Sequence, residues 1–232
     1  MNVEKANSKS IKSFVRRSGR ITPSQRQALE TCWPNWGIDF GPGAAKLPVG
    51  FDALNLEIGF GNGDALIEMA ARDPRSLYLG IEVHLPGVGR CLNGIERQGL
   101  ENVRLIRHDA IEVMETMLAP ESLDRVLLFF PDPWHKKRHH KRRIVNRHFR
   151  DLVYRNLKSG GALHAATDWE DYAQWIAAEF LGDPRFVNQG DAGGFCEKPD
   201  YRPRTRFEQR GRALGHGVRD LVFIKQAPHK SS

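Results

Sequence analysis

The chain has 232 residues, a formal net charge of +7 and a hydrophobic content of 40%. This length suits one sizeable α/β core, and the composition excludes a wholly disordered chain. No run approaches the roughly 18 apolar residues of a membrane span, and scattered cysteines are typical of a reducing compartment. We therefore expect a soluble cytoplasmic protein that does not bind a membrane.

The positive charge is concentrated in two segments. Residues 1–20 hold six basic side chains and one acidic side chain, while residues 135–150 hold eight basic side chains and no acid. A chain with such concentrated basic segments is expected to present a face that binds a polyanion. We interpret residues 1–25 as a basic, flexible arm and residues 26–232 as a single domain. The alternative for the arm is a solvated tail without a role.

Strands and helices alternate from residue 51 onward, after an irregular lead-in predicted at 26–50. The predicted strands are 51–60, 77–84, 102–110, 124–130, 162–168 and 219–226, with a weaker candidate at 186–187. The predicted helices are 64–72, 86–98, a short one ending at 118, one around 149–157 that stops at Gly160-Gly161, and one around 172–180. The alternation predicts right-handed βαβ units and an open, mostly parallel sheet with helices on both faces.

A glycine-rich turn follows the first of these strands. Gly59, Gly61 and Gly63 come shortly after Glu57, in the stretch EIGFGNG. Glycine adopts positive φ and lets the backbone approach a ligand closely. The spacing differs from the dinucleotide fingerprint and no lysine completes a phosphate loop, so the preceding acid favours a cationic or hydroxyl-bearing ligand. The alternative is a plain tight turn.

Further acids are predicted at the carboxyl ends of neighbouring strands, where ligands bind in such sheets. Glu82 is placed to accept from ribose hydroxyls, and Asp109 lies where an adenine amino group could be met. Asp132 follows the buried run VLLFF. Each acid alone could be an ordinary surface carboxylate. Together with the glycine turn, the acids indicate an adenosine-binding site.

The basic segment 136–150 begins just after Asp132. We expect its eight cations to contact nucleic-acid phosphates, with a solvated face as the alternative. Its histidines lack further ligands at suitable spacing, so we expect no metal site. Trp134 could stack on a base or pack beneath the basic segment. Glu208, among several arginines, could accept from a guanine edge or form a salt-bridge hub.

Several stretches resemble, in order and spacing, the tRNA (guanine-N7-)-methyltransferases, which are class I S-adenosylmethionine-dependent methyltransferases. They are LEIGFGNGD, GIEVH, RHDA, FPDPWHKKRHHKRR, ATDWEDYA and TRFEQRGRALGHGVRDL, and SFVRRSGRITPSQ is similar to that family's N-terminal segment. The glycine turn alone indicates only a class I methyltransferase. The Pro-Asp-Pro-Trp-His-Lys-Lys stretch followed much later by Thr-x-Phe-Glu is far more specific.

The resemblance implies a Rossmann-like class I methyltransferase fold, α/β with a mostly parallel sheet and an antiparallel C-terminal edge. It implies methyl transfer from S-adenosyl-L-methionine to N7 of a tRNA guanine, usually in the variable loop. The sequence leaves both a monomer and a homodimer open, and we expect no metal. The implied catalytic residue is Asp132. The implied cofactor-binding residues are Glu57, Gly59, Gly61, Gly63, Glu82, Asp109 and Asp132. The implied tRNA-binding residues are Lys136, Asp168, Thr205, Arg206, Phe207 and Glu208.

Two positions depart from the family's pattern, and two other functions stay open. Arg206 stands where lysine is common, and Arg219 where an aromatic residue often precedes the last strand. The Asp-Pro-x-aromatic order is also the layout of methyltransferases that act on an exocyclic amine. A non-catalytic RNA-binding protein would need only the arm and the basic segment.

Because guanine N7 carries no proton, we expect Asp132 to position the base or stabilise charge rather than remove a proton.

Overall fold

The computed structural model describes residues 12–14, 19–204, 208 and 217–227. Much of the predicted arm, residues 1–25, therefore lies outside the described residues, and its separation from a single domain stays a prediction. Within the described ranges, no helix is long and apolar enough to cross a membrane.

The chain forms alternating strands and helices, as predicted. The helices are α1 (Pro23–Thr31), α2 (Trp33–Trp36), α3 (Asp64–Arg72), α4 (Leu85–Gln98), α5 (Ala110–Thr116), α6 (Arg147–Asn156) and α7 (Glu170–Leu181), with a 3-10 helix at Lys137–Arg142. The strands are β1 (Gly37–Ile38), β2 (Ala53–Ile58), β3 (Ser76–Ile81), β4 (Val103–Ile106), β5 (Leu123–Phe129), β6 (Leu157–Thr167), β7 (Phe186–Asn188) and β8 (Arg219–Lys225). Every element predicted from residue 51 onward is present; α3 has the predicted ends, and the other elements differ from prediction at one or both ends.

The strands form one sheet in the order β1-β4-β3-β2-β5-β6-β8-β7. All neighbours from β1 to β6 pair in parallel, whereas β8 runs antiparallel to β6 and to β7. The predicted parallel sheet with an antiparallel C-terminal edge is confirmed. Strand order reverses between β2 and β5, and ligands in open α/β sheets bind beyond the carboxyl ends of strands at such a reversal.

Two apolar clusters cover the two faces of the sheet. Residues of α5, α6 and α7 pack on one face against Leu56 and Val126, and residues of α1, α3 and α4 pack on the other against Leu105 and Leu127. Adjacent residues of β5 thus face opposite clusters, so the strand is buried on both sides. This burial explains why residues 126–129 of β5 form a continuous apolar run rather than an alternating one.

The irregular lead-in predicted at 26–50 is wrong over its first half. α1 begins at Pro23, inside the segment predicted as an arm, and α2 and β1 follow it. The N-cap is Thr22, whose hydroxyl accepts from the backbone N–H of Gln25 at 3.3 Å, while the Gln25 side chain accepts from the Thr22 N–H at 2.8 Å. This reciprocal capping box is a local signal that the sequence Thr-Pro-Ser-Gln already carries.

The helix stop predicted at Gly160-Gly161 is also wrong. α6 ends at Asn156, and β6 starts at the next residue. The glycine pair lies inside β6, where the register against β5 shifts between Leu123 and Arg125. A Cβ on Gly161 would lie 2.9 Å from the Lys158 carbonyl oxygen. The glycines therefore allow an irregular, tightly packed stretch of backbone within β6 rather than ending a helix.

Candidate active site

A cleft of about 240 Å³ lies beyond the carboxyl ends of β2, β3, β4 and β5. We call it the strand-end cleft. It is lined by one or more residues that follow each strand, among them Gly59, Glu82, His108 and Asp132. The cleft lies at the reversal of strand order, so predicted site residues from separate strands meet where the topology predicts a ligand.

Glu82 holds the glycine turn at one side of this cleft. Gly59 and Gly61 have φ values of +72° and +59°, and open space surrounds the position that a Cβ would take on either. One oxygen of Glu82 accepts from the Gly61 N–H at 2.9 Å, and the other accepts from the N–H groups of Val83 and His84 at 2.6 and 2.9 Å. The turn thus presents left-handed backbone with room for a ligand against it.

Two glycines bring helices together behind the turn. Gly63 has φ +81° at the N-cap of α3, and a Cβ there would overlap the Cys91 Sγ. A Cβ on Gly87, in the first turn of α4, would overlap the Gly61 carbonyl oxygen. Gly63 therefore lets α3 approach α4, and Gly87 lets α4 approach the turn. Gly87 was not among the predicted site residues.

Glu57 lies behind the turn as a buried acid. It is 3% exposed, and its Oε2 finds no hydrogen-bond partner in the described part of the chain. Burial, assisted by the nearby Glu82 carboxylate, raises the pKa of Glu57 to about 8. A buried carboxyl without a partner favours its neutral form until a cation or a donor approaches it. This residue therefore suits a ligand that brings a positive group to the turn.

Asp109 follows β4, and both of its oxygens contact protein groups. One accepts from the Ile111 N–H at 3.0 Å and caps α5, and the other forms an ion pair with Lys12 Nζ at 2.8 Å. The adjacent His108 forms the cleft wall, and its ring stacks on Phe40 with 3.6 Å between centroids. The predicted contact of Asp109 with adenine stays a prediction. Lys12 and Phe40 were not identified from the sequence.

Asp132 is exposed on the loop after β5. Among the described residues, none donates a hydrogen bond or forms an ion pair to its carboxylate. Its neighbours Phe130 and Trp134 adopt φ values of +52° and +50°. Bulky residues rarely adopt this left-handed conformation, and such strain clusters at ligand and active sites. The loop therefore presents a carboxylate at the mouth of the strand-end cleft.

The basic segment divides into exposed and buried cations. Arg143 is 2% exposed. It donates from Nε to the Pro133 carbonyl at 2.9 Å and pairs with Asp171, while Arg150 forms an ion pair with Asp183 at 2.9 Å. The prediction that all eight cations contact phosphates is therefore wrong for Arg143 and Arg150, because their side chains form ion pairs within the fold. The exposed cations are Lys136, Lys137, Arg138, Lys141 and Arg147.

Trp134 packs beneath the basic segment, which is one of its two predicted roles. Its indole N–H donates to the Ser13 carbonyl at 3.2 Å, and the Arg142 guanidinium lies 5.1 Å from the ring centroid. The His139 ring meets it edge-on at 5.8 Å.

Across the described residues, no three His, Cys, Asp or Glu side chains are grouped so that they could hold a metal ion.

Two of the predicted tRNA-binding residues lie at a strand end and on the basic segment. Asp168 is half-buried directly after β6, and Lys136 is exposed at the start of the basic segment. Thr205, Arg206 and Phe207 lie outside the described residues. Glu208, by contrast, is described and is 1% exposed.

Glu208 belongs to a buried network centred on Arg202. The Arg202 guanidinium pairs with Glu208 at 2.7 Å and with both oxygens of Asp220 at 2.6 and 2.9 Å. Asp220 is also bonded to His164 Nε2 at 2.8 Å, and burial lowers the pKa of His164. The salt-bridge hub considered for Glu208 is therefore present. Arg202, its centre, could not be told apart in the sequence from the neighbouring arginines.

Comparison with known proteins agrees with this architecture. A sequence model of a family described as putative methyltransferases matches residues 52–221. A curated tRNA (guanine-N(7)-)-methyltransferase of Shewanella amazonensis is 50% identical over 217 residues, which cover 92% of this chain and 91% of that protein. The one of Shewanella denitrificans is 52% identical with the same coverage.

A solved structure supports the fold alone. An rRNA methylase from Streptococcus thermophilus matches with a TM-score of 0.53 at 12% identity, over 90% of this chain and 100% of that one. The sequence matches reach further, because identity near one half over almost the whole of both chains indicates common family membership. The chain therefore belongs to the tRNA (guanine-N(7)-)-methyltransferase family, as the resemblance of its motifs predicts.

Proposed function

We propose that this chain transfers the methyl group of S-adenosyl-L-methionine to N7 of a guanine in tRNA. Family membership makes the chain a methyltransferase, and the cofactor, the target atom and the site residues are the proposed part. The observation that carries the proposal is the strand-end cleft. There the glycine turn, Glu82 and the exposed Asp132 surround one space beside the exposed cations of the basic segment.

The residues of the cleft fit S-adenosylmethionine. The open positive-φ positions at Gly59 and Gly61 leave room for a ligand against the backbone. Glu82 lines the cleft and can accept from ribose hydroxyls. Asp109, next to the cleft residue His108 in sequence, is the acid assigned to the adenine amino group. The orphaned Oε2 of Glu57 suits the ammonium group of a methionine moiety. When bound, this cofactor supplies an electrophilic methyl group on a sulfonium.

The chemistry does not require a base. Guanine N7 holds a lone pair and no proton, and a methyl group supplied by the cofactor would leave a positive charge on the guanine. The chain has to align the two reactants, exclude water and stabilise the new charge. We assign alignment and charge stabilisation to Asp132, since its exposed carboxylate has no protein partner among the described residues.

The remaining assignments concern tRNA. Lys136 and the other exposed cations of the basic segment bind the phosphate backbone, an attraction that weakens as salt concentration rises. Asp168, Thr205, Arg206 and Phe207 are assigned to the guanine, whereas the buried Glu208 is paired with Arg202. A monomeric or homodimeric state and a cytoplasmic location stay predictions.

Methyl transfer from labelled S-adenosylmethionine to unmodified tRNA tests the proposal. We expect label in the tRNA, loss of labelling when the target guanine is replaced, and cleavage at that position by borohydride and aniline, which select 7-methylguanosine. Labelling without cleavage would instead indicate methylation of an exocyclic amine. Calorimetry that detects tRNA binding but no cofactor binding would indicate a non-catalytic RNA-binding protein.

The buried acid behind the turn predicts a pH-dependent cofactor affinity. Glu57, with a pKa near 8 in the free protein, is mostly protonated at neutral pH. A bound cation stabilises the ionised form, so the pKa of Glu57 is lower in the complex and binding releases a proton. Affinity should therefore rise with pH between these two pKa values and level off above about 8.

Calorimetry in buffers of different ionisation enthalpy measures this proton release. Glu57→Gln should lose the release, whereas Glu30→Gln, at an exposed position of α1, should keep it. The difference between wild type and Glu57→Gln separates this residue from the cofactor's own amino group. Equal proton release from both proteins would show that Glu57 does not ionise on binding.

A further inference from the structure

Trp169 presents an exposed indole beside one of the acids assigned to the guanine. It follows Asp168 directly, past the end of β6, and is the N-cap residue of α7. It is 36% exposed. A single exposed aromatic residue is common on protein surfaces, so exposure alone does not indicate a binding role.

Hydrogen bonding separates Trp169 from the other tryptophans. The indole N–H groups of Trp33, Trp36, Trp134 and Trp175 each donate to a protein acceptor. The indole of Trp169 has no such acceptor in the part of the chain that the structure describes. Four indoles are thus tied into the fold, while that of Trp169 keeps its donor available.

Trp169 contacts His135, a residue of the loop that follows β5. Its ring lies 4.1 Å from that of His135, centroid to centroid, at an interplanar angle of 71°. His135 is exposed and lies three residues after Asp132. Because β5 and β6 are parallel neighbours, the loops that follow them leave the sheet side by side. The aromatic pair therefore lies between the loops that carry Asp132 and Asp168.

A second cleft opens at Trp169. It has a volume of about 550 Å³, and it is lined by Asp168, Trp169, Gln174 and Arg219 among others. None of these side chains lines the strand-end cleft. This second cleft, which we call the α7 cleft, combines a flat apolar ring with an amide, a guanidinium and the carboxylates of Asp168, Glu170 and Asp171. The Arg219 guanidinium is paired with Glu170 at 3.0 Å, so among the described residues the polar edge left to a ligand consists mainly of acceptors. Such a combination suits a nucleobase, which offers a π-face and polar edges.

We propose that Trp169, braced edge-on by His135, is a stacking platform for a nucleobase of the tRNA. The proposal rests on the proposed function, since it places the platform between the two acids assigned to the guanine. Single-stranded or splayed bases are commonly held by stacking on aromatic side chains, and the exposed cations nearby supply the attraction for the backbone. Phosphate contacts position the RNA, and the platform receives a base.

Replacement of the indole tests the platform. Trp169→Ala should lower kcat/KM for unmodified tRNA by about 10- to 100-fold, whereas Trp169→Phe should stay within a few-fold of wild type because it keeps a π-face. Leu181→Ala, at the opposite end of α7 and 43% exposed, is the control for loss of apolar surface and should match wild type. Cofactor affinity by calorimetry should be the same in all four proteins.

The outcomes separate the platform from the function. If wild type methylates tRNA and Trp169→Ala has the same kcat/KM, the platform is overturned while the proposed function stands. A Phe variant as impaired as the Ala variant also overturns stacking. If wild type does not methylate tRNA, the proposed function fails. The platform is then tested by fluorescence anisotropy with a short single-stranded RNA, and equal affinity of wild type and Trp169→Ala overturns it.

Discussion

Asp132→Asn is expected to lower kcat for methyl transfer by about 100-fold or more, with a much smaller effect on cofactor affinity. The amide keeps the size and planarity of the carboxylate but removes its negative charge. Charge on the guanine appears only as N7 takes the methyl group, so the lost interaction belongs to the transition state rather than to the bound reactants. Single-turnover methyl transfer with saturating tRNA and cofactor measures this step.

The matched control for this substitution is Asp52→Asn. Asp52 is also exposed, but it lies just before β2 and therefore at the opposite edge of the sheet from the strand-end cleft. Its substitution should leave kcat unchanged. A wild-type kcat in Asp132→Asn together with unchanged tRNA affinity would remove Asp132 from the catalytic role.

Arg202→Met is expected to lower the free energy of unfolding by about 3–5 kcal/mol. Arg202 is 1% exposed, and its guanidinium is the cation shared by the buried carboxylates of Glu208 and Asp220. Methionine fills much of the same volume but leaves these acids without that cation, and an uncompensated buried charge is strongly destabilising. Urea-induced unfolding followed by circular dichroism measures the loss.

Two further variants define what this loss means. Arg219→Met removes an exposed ion pair with Glu170 and should cost less than about 1 kcal/mol. Arg202→Lys keeps the charge but not the two-pronged contact with Asp220, so its stability should be intermediate. A loss in Arg202→Met no larger than that in Arg219→Met would show that the buried network does not stabilise the fold.

The elements and the position of the site could be predicted because their causes are local or topological. β5 is buried on both faces, and this requires a continuous apolar run that is visible in the sequence. Parallel strands bring their carboxyl ends to one edge, so acids that follow different strands, such as Glu82 and Asp132, meet without any long-range information. The capping box at Thr22 was equally visible in the sequence, but the prediction of an irregular lead-in did not take it into account.

Which basic side chains are exposed and which are buried in ion pairs could not be predicted in the same way. Lys141 and Arg143 stand two residues apart in one basic run, yet the first is exposed and the second is buried. The difference arises from Asp171 and the ring of Tyr172 on α7, which the fold brings against Arg143. Arg202 is distinguished from its neighbours in the same manner by partners distant in sequence. Periodicity and spacing do not contain such pairings.

The contact between Glu82 and Gly61 has a consequence for the thermodynamics of cofactor binding. Glycine loses more backbone freedom on ordering than any other residue, so a turn with three glycines would be costly to immobilise at the moment of association. Glu82 accepts from the Gly61 N–H at 2.9 Å, a hydrogen bond made entirely within the protein. The loss of entropy therefore accompanies folding rather than binding. A preorganised turn of this kind leaves more of the interaction free energy to appear as affinity.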